Sequence, residues 1–192
     1  MNTAVTAASL STKPSQWQID PAHSAAHFSV RHLMISNVRG EFTKLSGTAT
    51  TNPADPTKSS VEVTIDAASI NTREPQRDEH LRSADFLDVA KYPTLTFRSK
   101  RIETLGAENF KLTGDLTIHE VTKEVTFDVE GPTAPVKDPW GNIRAGITAS
   151  AKINRKDFGL VWNAFTETGG LVVGDEVKIT IEAELIQQAP GA

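Results

Sequence analysis

The sequence predicts an all-β protein of eight antiparallel strands closing into a barrel, with a short helical insertion between the third and fourth strands. Two observations point to the strands. Apolar and polar residues alternate with period two in short stretches from Ser24 onward, as expected where one face is wet and the other buried. Turn residues separate these stretches. A third consideration points to the barrel: eight strands in simple succession can close on themselves and so remove both sheet edges. Periodicity alone leaves a β-sandwich open, in which inward alanines would face bulky residues of an opposing sheet.

The chain begins MNTAVTAASLSTKPSQ, with its first charge at Lys13 and no apolar run. This reads as a flexible polar tail over 1–16, ahead of one domain over 17–187 and a C-terminal tail over 188–192. A secretory leader would show early Lys or Arg followed by an apolar stretch of about 7 to 15 residues. The expected compartment is therefore the cytoplasm, or the periplasm if a leader has been removed. No apolar run approaches the roughly 18 residues of a membrane-spanning helix.

In the first strand Ser24, Ala26, Phe28, Val30 and His32 share one face, opposite His27, Ser29 and Arg31. The second strand carries Val38, Gly40 and Phe42, then Leu45, Gly47 and Ala49, a parity flip that a bulge near Thr43 or Lys44 would absorb. Val61, Val63, Ile65 and Ala67 form the third, and Leu95 and Phe97 the fourth. Leu112, Gly114, Leu116 and Ile118 form the fifth, and Val125, Phe127 and Val129 the sixth. A hairpin of four or five residues around Glu120 to Thr122 would join these two. Ile143, Ala145, Ile147, Ala149, Ala151 and Ile153 mark the seventh strand, and Val177, Ile179, Ile181, Ala183 and Leu185 the eighth.

Two connections are long, and long connections in a compact domain tend to be functional. Between Ala68 and Tyr92, Glu74-Pro75 can open a short helix, and Ser83 can cap a second helical turn through Phe86 and Leu87. Between Asn154 and Asp175, Phe158, Trp162 and Phe165 sit among Gly159, Gly169, Gly170 and Gly174, which suggests a mobile cover. A third connection, Gly131 to Gly141, holds three prolines and should be extended and stiff.

Composition excludes several chemistries. With 20 Lys and Arg against 24 Asp and Glu the net charge is −4, and aromatic residues are 6% of the chain, so a nucleic-acid binder is not expected. The absence of cysteine removes disulfides, thiolate metal sites and a cysteine nucleophile. No nucleotide-binding, zinc-protease or serine-hydrolase motif occurs. His23 and His27 would lie roughly 13 Å apart on an extended strand, and His32 faces away, so no metal site is expected. Asp20, His23 and Ser24 could imitate a catalytic set, but neighbours along an extended chain do not converge, and turn and capping roles suit them better.

Side-chain volume points to a lumen. The inward parity includes Ala26, Gly40, Gly47, Ala49, Ala67, Gly114, Ala145, Ala149, Ala151 and Ala183, many small residues for a filled barrel. A dry lumen walled by Val63, Ile65, Phe97, Leu116, Phe127 and Ala149 would favour an extended hydrocarbon, at roughly 0.8 kcal/mol per buried CH2. His32 is the polar residue that parity places inside. Arg73, Arg77, Asp78, His80 and Arg82 have the charge to meet an anionic head group, or else form a solvated helix face.

Ten segments in order resemble the YceI-like family: Asp20-Pro-Ala-His-Ser24, Phe28-Ser-Val-Arg-His32, Val38-Arg-Gly-Glu-Phe42, Arg77-Asp-Glu-His-Leu81, Asp85-Phe-Leu-Asp88, Tyr92-Pro93, Gly114-Asp-Leu-Thr-Ile-His119, Val121-Thr-Lys123, Trp140-Gly141 and Asn154-Arg-Lys-Asp-Phe-Gly-Leu160. The resemblance runs from about Trp17 to Ile186. It implies a lipocalin-like eight-stranded barrel that binds a polyisoprenoid, an isoprenoid quinone or a similar long amphiphile in its pore, commonly as a homodimer. It further implies Phe28, Val30, His32 and Phe42 as pore lining, Arg77, His80, Leu81 and Phe86 on the helical segment, and Phe158 after the seventh strand. Trp162 and Phe165 join them from the loop. The expected function is non-catalytic storage or transport of that lipid, with no cofactor or metal. An enzyme acting on the bound lipid, with His32 as acid or base, and a stress-related interaction protein with an incidental pore are the alternatives.

Overall fold

The computed structural model describes residues 14–189, so the expected tails lie outside it apart from their inner few residues. Its strands are β1 (Ser15–Ile19), β2 (Ala25–His32), β3 (Ser36–Phe42), β4 (Leu45–Thr51), β5 (Ser60–Asp66), β6 (Ile70–Asn71), β7 (Thr94–Thr104), β8 (Asn109–Ile118), β9 (Val121–Glu130), β10 (Val136–Lys137), β11 (Ile143–Asn154) and β12 (Val173–Gln187). One helix, α1 (Pro75–Arg82), lies between β6 and β7. No helix among the described residues is long and apolar enough to cross a membrane.

These segments make eight staves. β1 and β2 follow one another along the same edge of β12, with Trp17 opposite Gln187 and Val30 opposite Val177. β3 and β4 likewise form one stave against β2 and β1, and β5 and β6 form the next. β7, β8, β9 and β11 continue in antiparallel order, and β11 pairs with β12 from Arg144–Ile186 to Asn154–Glu176. Closure through β12 leaves no free edge in the ring. The chain is an eight-stranded antiparallel lipocalin-like barrel, and the sandwich alternative is gone.

Four local expectations are corrected. Of the tail expected over 1–16, residues 1–13 lie outside the described residues and Ser15 and Gln16 belong to β1, whose Trp17 and Ile19 are buried between β4 and β12. Five residues give too few alternations to read as a strand, so only the neighbouring strands reveal it. The parity flip after Phe42 is a full break, because Thr43 and Lys44 turn their amides to Ser69, onto its carbonyl and its hydroxyl respectively. The β8–β9 hairpin has two turn residues instead of four or five: His119 and Glu120 have φ of 53° and 65°, the left-handed pair that matches strand twist. Ser83 ends α1 and caps the expected second turn, its hydroxyl accepting from the Asp85 amide at 3.3 Å and its carbonyl from the Phe86 amide at 3.1 Å, but that turn is not helical. The Ser83 amide donates to the His80 carbonyl, and the chain then folds back as a turn through Phe86 and Leu87.

The helix is fixed where the sequence allows it. Pro75 occupies its first turn and the Glu74 carboxylate accepts from the Gln76 amide at 3.3 Å. Asp78 is buried beneath, and its Oδ1 accepts from the Thr72 amide at 2.8 Å and from the Thr72 hydroxyl at 2.5 Å. This ties α1 to the end of β6.

Between β1 and β2, Asp20-Pro-Ala-His-Ser24 is a turn and not extended chain. Asp20 Oδ1 accepts from the Ala22 amide at 2.9 Å and Oδ2 contacts His23 Nδ1 at 2.8 Å, while Ser24 Oγ accepts from the Glu184 amide. Arg144 enters this turn: Nη1 donates to Asp20 at 2.7 Å and to Glu184, and Nε donates to Asp138 at 2.7 Å. Asp20, His23 and Glu184 offer ligand atoms within 4.8 Å of one another, but the guanidinium already supplies their cation. Asp20 and His23 therefore converge, contrary to the extended-chain estimate, yet in a turn and capping role.

Hydrogen bonds from Arg144, then His23 and the Ala22 amide, outweigh burial and hold the Asp20 carboxyl at about 2, below its ordinary 3.8. Burial works to raise Asp138, but bonds from Arg144, Asn142 and the Trp140 amide hold it well below the usual range. Depressed carboxyls contribute stability that is present above the unfolded-state value and lost as pH falls through the folded one. Urea midpoints are accordingly expected to decline between pH 3.8 and about 2. Asp20→Asn should flatten that decline, and an unchanged acid limb in the variant would show that the cluster does not set it.

Candidate functional site

The barrel encloses a lumen of about 220 Å³ that runs from Ile19, Leu45 and Leu185 at one end to Leu81, Phe86, Leu160 and Val173 at the other. At the roughly 30 Å³ that a water takes up in the liquid, this space holds about seven water-sized groups. Only His27, Thr96 and Arg155 among its lining residues are polar. His27 and Thr96 lie on the outward parity of β2 and β7, and the His27 ring stands 3.7 Å from Glu41. Arg155, 3% exposed, is the one charged inner side chain.

Small inward residues contribute unequally. A Cβ on Gly40 would lie 2.5 Å from the Phe28 ring, one on Gly114 2.7 Å from the Phe97 ring, and one on Gly47 2.8 Å from Ile19. Those glycines let larger neighbours lean over them and add no space. Ala26, Ala49, Ala149 and Ala183 do line the lumen, whereas Ala67, Ala145 and Ala151 do not. The cavity comes from four alanines, fewer than the ten small positions suggested.

Most of the expected lining residues come together. Phe28, Val30, Phe42, Val63, Ile65, Leu81, Phe86, Phe97, Leu116, Phe127 and Ala149 all face this space. Phe28 and Phe42 tilt together at 5.8 Å, and Phe97 meets Phe127 edge-on at 5.2 Å. The others lie elsewhere. His32 sits half-buried at the end of β2, paired with Val173, and is not part of the wall. Its parity is inward, but the strand ends before the side chain reaches the cavity. Arg77 turns back to the chain ahead of its helix: Nε donates to the Thr72 hydroxyl at 2.7 Å and Nη2 to the Thr72 carbonyl at 2.9 Å.

His80 contacts Asp85 through Nε2 at 2.8 Å, and its ring meets Phe86 and Trp162 edge-on. Trp162 also packs against Phe86, at 5.1 Å, so it backs a wall residue without reaching the lumen. Phe158, 2% exposed, fills the core beneath the loop, and Phe165, 74% exposed, points away into solvent.

Arg155 is the functional candidate that strand parity does not reveal, because it lies just past the end of β11. Asn154, Arg155, Lys156, Phe158 and Gly159 each have a local task. The Asn154 side chain caps the Lys156 amide at 2.9 Å, opening a 3-10 turn over Arg155–Phe158. Gly159, at φ 78°, closes it in the left-handed region. Arg155 Nε then donates to the Gly174 carbonyl at 2.9 Å, and Nη1 donates to the carbonyls of Leu160 and Trp162. The guanidinium thus clasps both ends of the loop that leads into β12. Burial pushes its pKa down and Asp175, 3.6 Å away, opposes the shift; an arginine keeps its charge under such conditions. Asp175 Oδ1 is buried without a hydrogen-bond partner, while Oδ2 binds Lys156 at 2.9 Å.

Comparison with known proteins gives one family. The model of the YceI-like domain matches residues 17–185. The protein YceI of Escherichia coli O157:H7 is 41% identical over 166 residues, covering 86% of this chain and 83% of that one. The crystal structure of the YceI protein of Campylobacter jejuni superposes with a TM-score of 0.71 at 35% identity, covering 82% of this chain and 90% of that chain. A domain from Saccharophagus degradans, described as polyisoprenoid-binding and implicated in plant cell wall breakdown, shares the fold with a TM-score of 0.64 at 16% identity, over 90% of this chain and 98% of that chain.

Proposed function

Since the chain belongs to the YceI-like family, we propose that it binds a long-chain amphiphile, a polyisoprenoid or isoprenoid quinone, in the barrel lumen and stores or carries it unchanged. The observation that carries this reading is the lumen itself, long and walled almost wholly by aliphatic and aromatic side chains. Such a wall discriminates by burial of hydrocarbon and asks little of a ligand's polar groups. The polyisoprenoid-binding description of the Saccharophagus degradans domain, which has the same fold, supports the ligand class. A non-catalytic role is supported by the wall's chemistry: its one charged side chain, Arg155, already donates to backbone carbonyls, and His32 stands off the cavity. Neither a cofactor nor a metal enters this reading. Homodimer formation is part of the proposal, as is the cytoplasm as its place of action.

Native mass spectrometry of protein purified gently from its own host, followed by organic extraction, tests all but the last point. One long isoprenoid per chain on a dimer, recovered chemically unchanged, is the expected result. A barrel that emerges empty and also refuses added polyisoprenoids sinks the carrier reading and favours an interaction protein. Recovery of a chemically altered lipid favours the enzyme.

A further inference from the structure

Soluble proteins seldom leave a run of large apolar side chains exposed without a use for it. The β2–β3 turn does so: Leu33, Met34 and Ile35 are consecutive, with Met34 58% and Ile35 78% exposed. The turn is also tied to the loop that Arg155 clasps. The Leu33 amide donates to the Val172 carbonyl at 2.9 Å, and the Val172 amide donates to the Ala164 carbonyl at 3.0 Å. One residue further along that rung, Phe165 bridges to Leu171, and Phe165 is largely exposed. Val161, exposed as well, is next to Leu160 of the lumen wall. The apolar rim therefore adjoins the end of the lumen formed by Val30, Val173 and Leu160.

Charge selects its occupant. From Arg31 to Arg39 the hairpin carries two arginines and His32 and no carboxylate, although the whole chain is net acidic. Arg31 reaches only Asn37, at 3.5 Å, and neither arginine forms an ion pair among the described residues. Between Phe158 and Gly174 the only charged residue is Glu167. Apolar side chains at a tip with arginines behind them match an anionic lipid surface, where the tip enters the acyl boundary and the guanidinium groups remain among head groups. A second copy fits less well, because two-fold pairing of the tips would bring the arginines of both copies together.

We propose that Leu33, Met34 and Ile35, with Phe165 and Val161 beside them, dock this end of the barrel onto an anionic bilayer. The inference rests on the carrier reading and deepens it: the lumen end would face the phase in which a polyisoprenoid dissolves, so that cargo passes without crossing water.

Flotation of the full chain with phosphatidylcholine vesicles, pure or doped with phosphatidylglycerol, tests the proposal. Native protein should float with the doped vesicles and less with the pure ones. Ile35→Asp, and independently Phe165→Asp, should lower the bound fraction at least about tenfold, the scale set by burying one large apolar side chain. Arg31→Glu with Arg39→Glu should erase the preference for the anionic vesicles. Uptake of a polyisoprenoid offered in detergent micelles should stay unchanged in all of these variants, since none of the four residues lines the lumen. Native protein that floats with neither vesicle overturns the docking surface, as do aspartate variants that float like native protein. So does a dimer that Ile35→Asp splits without altering flotation, which would give the rim to a second copy. Failure of native protein to take up lipid from micelles would count against the carrier reading alone.

Discussion

Replacing Ala149 by Phe is expected to abolish polyisoprenoid uptake while the barrel still folds. Ala149 is 6% exposed and lies mid-wall between Val129 and Ile181, its partners on β9 and β12. The lumen is about 220 Å³ and owes its width to a few alanines, so a phenyl ring at this level blocks it from one side to the other. Overpacking of this kind costs about 1–3 kcal/mol, a loss that a domain with about 5–15 kcal/mol of stability survives. The measurement is the stoichiometry of extractable lipid after incubation with a polyisoprenoid in micelles, alongside circular dichroism. Ser150→Phe, one residue on and exposed on the outer face, should bind as native protein does. Equal uptake by Ala149→Phe and native protein would falsify the internal site.

The second large effect is on stability. Arg155→Met should lower the free energy of unfolding by about 3 kcal/mol or more, because each buried acceptor left without a donor costs about 1–3 kcal/mol. The change leaves the carbonyls of Leu160, Trp162 and Gly174 without their donor, and leaves Asp175 without the buried cation beside it. A methionine of similar length preserves packing, so the loss reports the clasp and not a cavity. Arg155→Lys should recover only part of it, because one ammonium cannot reproduce a planar fork reaching four carbonyls, those of Leu160, Trp162, Val173 and Gly174. Urea denaturation reads both variants. A change within about 0.5 kcal/mol, the usual range for surface substitutions, would show that the loop does not depend on the clasp.

Much of the lumen lining was legible because it is written in strand parity. Once Phe28 faces inward, Ala26 and Val30 must as well, and closure of the sheet brings such residues from every stave to one axis. What parity could not give is where a strand stops. His32 has the inward phase of Phe28 and Val30, but β2 ends there and the chain turns out toward the rim. Trp162 and Phe165, only three residues apart, have opposite surroundings, one packed against Phe86 and the other in solvent. A loop has no period from which to read this. Arg77 and Arg155 show the same limit for charge: as residue types they are equal candidates for the lumen, and the carbonyls within reach decide between them.

By itself the sequence determined the long strands, the short helix that opens at Pro75 and the family, since alternation, capping residues and turn residues act over a few neighbours and are visible in the chain. Only the tertiary structure decided that β1 is a strand, that the glycines are filled by Phe28, Phe97 and Ile19 while four alanines leave a lumen, and that Arg155 alone brings charge to its wall. Each of these depends on residues far apart in the chain meeting at a few ångströms. Local pattern sets which way a side chain points; the space and the partners it finds are properties of the closed barrel.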